Sequence, residues 1–151
     1  MKRPLWNALV WAALVTATPV LAADEPLFYC MTDDDKALRV LEDGNELVYQ
    51  FGADLTAPEM ELRRPRSEVI VRNVLKPGPI MTRSLSFTNG IYRYAVEVHA
   101  VRIPLKYDHD EGGVEVYHGT TGLGGPHCAG GVQQRILYIQ GLPPEAVPVA
   151  D

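Results

Sequence analysis

This sequence predicts an all-β fold, an antiparallel β-sandwich or small barrel of about eight strands closed by one disulfide. Three observations carry that expectation. Runs of β-branched and aromatic residues alternate with polar ones between Gly-, Pro- and Asp-rich turn signals, recurring roughly every ten residues. Helical periodicity is nearly absent after residue 22. The chain has two cysteines, Cys30 and Cys128, at opposite ends of the β-patterned region.

Residues 1–22 read as a secretory signal peptide. Lys2 and Arg3 supply a basic start, residues 5–15 (LWNALVWAALV) an apolar run broken only by Asn7, and Val20-Leu21-Ala22 the end where a signal peptidase cuts. The run falls well short of the ~20 residues that span a bilayer as a helix, so no membrane insertion is expected after cleavage. Cys30 follows the bulky Leu27-Phe28-Tyr29, which does not suit a lipidation site. The expected address is the periplasm or the exterior. The mature chain reads as one β domain over 23–141 and a flexible Pro-rich tail over 142–151 with Pro143, Pro144 and Pro148. In an oxidising space Cys30 and Cys128 are expected to pair. Closing a loop of that length removes about 4 to 5 kcal/mol of unfolded-chain entropy.

The elements follow in order. Residues 27–31 form a first strand and 32–36 an acidic turn. Residues 37–41 and 47–51 pair across Glu42-Asp43-Gly44-Asn45-Glu46, where Asp-Gly marks a hairpin. Residues 53–58 read as loop, 59–63 as a strand, and 68–72 as another set off by Pro65. Lys76-Pro77-Gly78-Pro79 is a breaker. The most legible piece is residues 87–98, FTNGIYRYAVEV, which predicts a tight hairpin about Asn89-Gly90 joining strands 82–88 and 91–103. Alternation there puts Tyr92, Tyr94, Val96 and Val98 on the core face, with Arg93, Ala95, Glu97 and His99 opposite. Residues 104–113 read as an exposed loop carrying Asp108, His109, Asp110 and Glu111. Residues 114–117 follow as a short strand, 119–131 as a Gly-rich loop, and 135–139 as a last strand.

Composition narrows the chemistry. Without Lys2 and Arg3 the mature chain carries 12 basic residues against 19 acids, a net charge of −7. Nucleic acid and anionic membranes are therefore poor partners, and a basic protein a good one. No GxSxG elbow, HExxH, phosphate-binding GxxxxGK or dinucleotide-binding glycine pattern occurs, so no catalytic residue and no cofactor are assigned. His99, His109, His118 and His127, with Asp108, Asp110 and Glu111, offer imidazole and carboxylate groups to a metal or small molecule, but at no established ligand spacing. Asp33-Asp34-Asp35 lacks the alternating ligands and turning glycine of a calcium loop and reads as a solvated turn. Arg63, Arg64 and Arg66 around Pro65 read as a solvated loop balancing Glu59, Glu61 and Glu68.

The layout of signal peptide, Cys30 in the first strand, Leu38-Arg39-Val40, the run Leu47-Val48-Tyr49-Gln50-Phe51-Gly52, the Asn89-Gly90 hairpin and a late Cys128 resembles small disulfide-closed β-proteins of the Gram-negative periplasm. Periplasmic lysozyme inhibitors and immunity proteins against cell-wall-degrading toxins are such proteins. The inhibitors present a Ser-Gly-x-x-Tyr loop, whereas this chain has Asn89-Gly90-Ile91-Tyr92, with asparagine for serine and the tyrosine one residue closer, so their inhibitory residues do not carry over. The resemblance implies a non-enzymatic protein that binds another macromolecule, in its most concrete form a basic peptidoglycan hydrolase. The expected anchors are Asn89, Gly90 and Tyr92 at the hairpin tip, with Asp108, Asp110 and Glu111 beside them. A small-molecule or metal-binding β-protein built on the histidine-bearing loops is the alternative.

Overall fold

The computed structural model describes residues 25–75, 80–103 and 107–146. The signal segment, the Lys76-Pro77-Gly78-Pro79 breaker and the tail beyond residue 146 lie outside the described residues. In chain order the strands are β1 (Phe28–Met31), β2 (Ala37–Asp43), β3 (Glu46–Gly52), β4 (Met60–Pro65), β5 (Ile70–Leu75), β6 (Ile80–Asn89), β7 (Tyr92–Ile103), β8 (Tyr107–His118), β9 (Thr121–Gly124) and β10 (Gln133–Gln134). They form two five-stranded sheets, β10-β1-β2-β3-β4 and β5-β6-β7-β8-β9, in which every named pair is antiparallel. The fold is therefore the expected all-β one, and of the two expected forms it is the sandwich.

Three of the hairpins share one device. Asp43 pairs with Glu46, Asn89 with Tyr92 and His118 with Thr121, leaving the two-residue loops Gly44-Asn45, Gly90-Ile91 and Gly119-Thr120. In each, glycine takes the first position at φ +58°, +62° or +60° while the second residue stays out of the left-handed region. That is the type II′ requirement, whose twist matches the flanking strands. The central turn thus falls one residue later than expected: Asn89 closes the ladder and Gly90-Ile91 turns, because the first loop position needs positive φ.

Alternation fills the core from both sheets. Phe28, Leu38, Val40 and Tyr49 meet Leu85, Phe87, Val96 and Val98 between the layers. The Tyr49 ring lies 5.8 Å from Phe87 and 6.0 Å from Tyr94, and burial pushes its phenol well above the ordinary range. Each such side chain contributes roughly 1.5 to 3 kcal/mol of transfer free energy. Cys30 and Cys128 are bonded as expected, with a sequence separation of 98, consistent with folding in an oxidising compartment.

Five expectations need correction. Residues 107–113 are not a loop. They belong to β8, which pairs with β7 from Tyr92↔His118 to Ile103↔Tyr107. The Gly112-Gly113 pair that suggests a turn is a packing feature: a Cβ on Gly112 would stand 3.0 Å from the Phe28 ring, and one on Gly113 would stand 2.7 Å from the Pro126 carbonyl oxygen. Residues 135–139 form no strand either. Ile136–Tyr138 is a 3-10 turn that buries Ile136 and leaves Tyr138 71% exposed. Arg83 donates to the carbonyls of Leu137 and Ile139, both at 2.6 Å, so these oxygens serve a guanidinium instead of a ladder.

The Gly-rich stretch 119–131 supplies β9 and then pairs on both sides. Cys128 N–H donates to Gly112, and Ala129 N–H to Met31. The arginine island is likewise structured, not a solvated loop. Arg63 reaches Asp43 at 2.7 Å and Glu61 at 3.0 Å, Arg64 donates to the Thr88 carbonyl, and Arg66 binds Glu42 at 2.5 Å. Glu59 pairs with Lys36 instead.

The C-terminal segment acts as a strap around the sandwich. After pairing with β8 and β1 it crosses between the sheets, with Ile136 and Ile139 in the core, and reaches β5. There Val71 N–H donates to Pro143 and Glu145 N–H to Val71, in parallel register, and Arg72 pairs with Glu145 at 3.0 Å. The tail over 142–145 is thus docked along a sheet edge where flexibility was expected, with Leu142 packed on the core. It covers strand edges that would otherwise expose unpaired backbone groups.

Candidate functional site

Two surfaces on the second sheet carry the candidate residues. The first is the β6–β7 hairpin end. Asn89 closes β6 in an exposed position, Gly90 turns the chain, and Ile91 and Tyr92 are 66% and 39% exposed. Tyr92 stacks on His118 across the β7–β8 pair with ring centroids 5.4 Å apart. On the opposite face Arg93 lies over the Tyr117 ring at 4.0 Å and donates to Ser86 Oγ. The tip is held from below because Phe87, Ala95 and Val96 are buried. An apolar tip on a fixed hairpin presents area to a partner without an ordering cost at its base.

The second surface is a cleft of about 400 Å³ where β7 and β8 meet the strap. Glu97 and His99 come from β7, Glu111 and Glu115 from β8, and His127 from the strap. In register Glu97 faces Gly113, His99 faces Glu111 and Ala95 faces Glu115. Glu115 accepts the Gly124 N–H at 3.0 Å. His99 Nδ1 shares a 2.9 Å hydrogen bond with Thr82 Oγ1, and its Nε2 stands 3.7 Å from Glu97. Hydroxyl, imidazole and carboxylate thus sit on two adjacent strands, β6 and β7, but Thr82 is buried and does not line the cleft. The arrangement orients an imidazole and leaves the hydroxyl with no access to a substrate.

The structure separates residues that the sequence reading joins. Asp110, which accepts the Gln134 amide at 2.7 Å, pairs with Ala100, eight residues along β7 from Tyr92. At ~3.4 Å per residue that is about 27 Å. Asp110 and Glu111 line the cleft, and Asp108 is registered with Arg102 still further along, its side chain outside the described set. The acidic stretch and the hairpin tip are therefore two surfaces, not one anchor. The histidines also disperse: His118 stacks on Tyr92, whereas His99 and His127 line the cleft. Among the described residues no group of three or more His, Cys, Asp or Glu converges to hold a metal ion.

Glu97 and Glu115 are the site residues that sequence reasoning missed, whereas His127 was already among its candidate ligands. The alternation of β7 already placed Glu97 beside His99 on the outer face. What hid the rest was the reading of 104–113 as a loop, which removed β8 from opposite that face. Comparison with protein-family models, curated proteins and solved structures returned no match to this chain, so function rests on these two surfaces.

Proposed function

We propose that this chain is an exported, non-catalytic protein-binding module, in its most concrete form an inhibitor of, or immunity protein against, a basic cell-wall hydrolase. The observation that carries this reading is the hairpin end, where Ile91 and Tyr92 project from strands rooted in the core. Aromatic and aliphatic anchors at a fixed tip are what a partner's cleft receives. The acidic balance, 19 acids against 14 bases in the full chain, favours a basic partner and speeds encounter with it. Periplasmic address, soluble state and signal cleavage are part of the same proposal. It is supported by the disulfide and by the absence, among the described residues, of any helix long and apolar enough to cross a membrane.

The test is a turbidity assay of lysis by basic muramidases, amidases and endopeptidases of the cell wall, with and without the purified mature domain. Stoichiometric suppression of lysis by one of them, lost in Tyr92→Ala, is the expected result. Undiminished lysis by all of them at micromolar domain concentrations would sink the inhibitor reading. The cleft favours a second reading, a small-molecule-binding β-protein.

A further inference from the structure

The chain has four asparagines, Asn7, Asn45, Asn73 and Asn89, of which the last three lie among the described residues. All three are exposed, so exposure does not separate them. What separates them is the backbone nitrogen that follows each. Glu46 closes the β2–β3 ladder against Asp43, and Val74 lies in register with Thr82 on β6, so both nitrogens belong to paired residues that carry a Cβ. Gly90 is the first residue of the β6–β7 turn, and the ladder ends at Asn89↔Tyr92, which leaves the Gly90 N–H outside it. Gly90 has no Cβ, and one built there would meet nothing within 4 Å, so the space about its nitrogen is open.

Such a nitrogen can attack the side-chain amide that precedes it. The Gly90 nitrogen, losing its proton to solvent base, bonds to Asn89 Cγ; the Cγ–NH2 bond breaks, ammonia leaves with a proton, and a five-membered succinimide closes. Water then adds to one of the two ring carbonyls and breaks its C–N bond. Addition at Cγ leaves an aspartate, whereas addition at the α-carbonyl leaves an isoaspartate whose main chain is one methylene longer. Either way an amide and water become a carboxylate and ammonium, with no redox change. The extended backbone at the end of β6 holds Cγ away from the next nitrogen, so ring closure waits for the Asn89–Tyr92 pair to open. That pair is the last rung of the ladder and both its residues are exposed, so it belongs to the part of the hairpin that opens most easily.

We propose that Asn89 is a site of spontaneous deamidation, through a succinimide with Gly90, that turns a neutral hairpin tip into an anionic one. Two turns meet at this end, where Gly119 N–H donates to the Ile91 carbonyl at 3.4 Å, and residues 88–93 and 117–124 contain no Asp or Glu. The new carboxylate is the first in these turns, and the isoaspartyl form also lengthens the chain at the pair that positions Tyr92. Asp43-Gly44 repeats the turn but not the chemistry, because Asp43 presents a carboxylate, a poor electrophile, bonded to Arg63 at 2.7 Å. The modification stands apart from the hydrolase reading; only its effect on a partner rests on that reading.

The experiment incubates the mature, disulfide-bonded domain in mildly alkaline buffer made with oxygen-18 water, beside the free peptide of residues 84–93, SLSFTNGIYR. Samples are digested with trypsin in ordinary water, so the label marks conversion that precedes digestion. Conversion of Asn89 ahead of Asn45 and Asn73 is expected. The 84–93 fragment should gain the mass of one amide-to-carboxylate exchange carrying one oxygen-18 and split into two chromatographic isomers, faster as pH rises. Asn89→Gln, whose amide lies one carbon further from the attacking nitrogen, should show neither change. No labelled product at Asn89 by the time the free peptide is fully converted, conversion of Asn45 or Asn73 as fast as that of Asn89, or the same mass gain in the 84–93 fragment of Asn89→Gln overturns the proposal. The readout needs no partner, so failure here and failure of the hydrolase reading are separate results.

Discussion

Replacing both cysteines, Cys30→Ala with Cys128→Ala, should remove more stability than any other pair of small changes. The disulfide spans 98 residues of sequence. The chain-entropy relation then gives about 4.7 kcal/mol at 25 °C for releasing that loop in the unfolded state. Small domains have roughly 5 to 15 kcal/mol in total, so the reduced chain stands near the edge of folding. With an m-value of roughly 1.5 kcal/mol/M in urea, the midpoint should fall by about 3 M at unchanged slope. Urea unfolding followed by tyrosine fluorescence or circular dichroism measures this, and the unmutated protein in excess dithiothreitol should track the double variant. The structure also predicts where the first opening appears. Cys128 sits where the strap pairs with β8 and β1, so amides bonded through it, those of Cys128 and Ala129, should lose exchange protection before those of β6 and β7. A midpoint shift below about 0.5 M, or protection lost uniformly across the sandwich, would refute the reasoning that this bond holds the strap to the two sheets.

Other consequences are more local. Gly112→Ala places a Cβ 2.7 Å from the Glu97 carbonyl oxygen and 3.0 Å from the Phe28 ring, and should destabilise by about 1 to 3 kcal/mol in thermal unfolding. Arg83→Met removes two bonds to the strap carbonyls but also a partly buried cation whose Nε has no partner among the described residues; a net loss of about 1 to 3 kcal/mol, with faster exchange at Ile139 and Glu145, is expected. Tyr92→Ala should cost about 1 kcal/mol or less of stability while weakening the proposed hydrolase complex by about 2 kcal/mol or more, measured by calorimetry. Bonds from Gln50 and Arg63 hold the Glu61 carboxyl below its usual range. A lowered folded pKa contributes stability above the unfolded carboxylate value and loses it as pH falls through the folded one. Melting temperature should therefore drop between pH 5 and pH 3, and the drop should be smaller in Glu61→Gln.

The parts of the fold that were legible in the sequence are those whose causes are local. The presence of a hairpin near Asn89-Gly90, though not its exact turn, the alternation of Tyr94, Val96 and Val98 into the core, and the β2–β3 hairpin depend on residues within a few positions of one another. What was misread has its cause far along the chain. Gly112-Gly113 looks like loop chemistry until Phe28, some eighty residues earlier, is laid over Gly112. Arg135-Ile136-Leu137-Tyr138-Ile139 has a strand composition, and only the Arg83 guanidinium explains why its carbonyls leave the ladder. Short apolar runs do not by themselves distinguish a buried turn from a strand.

The same distant packing decides what the candidate site can be. Had residues 104–113 been a solvated loop, Asp110 and Glu111 would be mobile charges available to any basic surface. As a strand, β8 fixes Glu111 and Glu115 to either side of Gly113 and sets Glu97 across from it, so these carboxylates are held at fixed positions along the cleft. The strap that borders the cleft is the segment tied by Cys128, and it approaches closely only because Gly113 has no side chain. Reduction of the disulfide should therefore loosen the cleft as well as lower stability, whereas Tyr92 and Ile91, on a hairpin with its own core contacts, should keep their proposed partner contacts until the sandwich unfolds. If dithiothreitol abolished hydrolase binding at concentrations of denaturant where the β6–β7 amides were still protected, the two surfaces would be coupled, and their separation along β7 would have to be bridged by the partner itself.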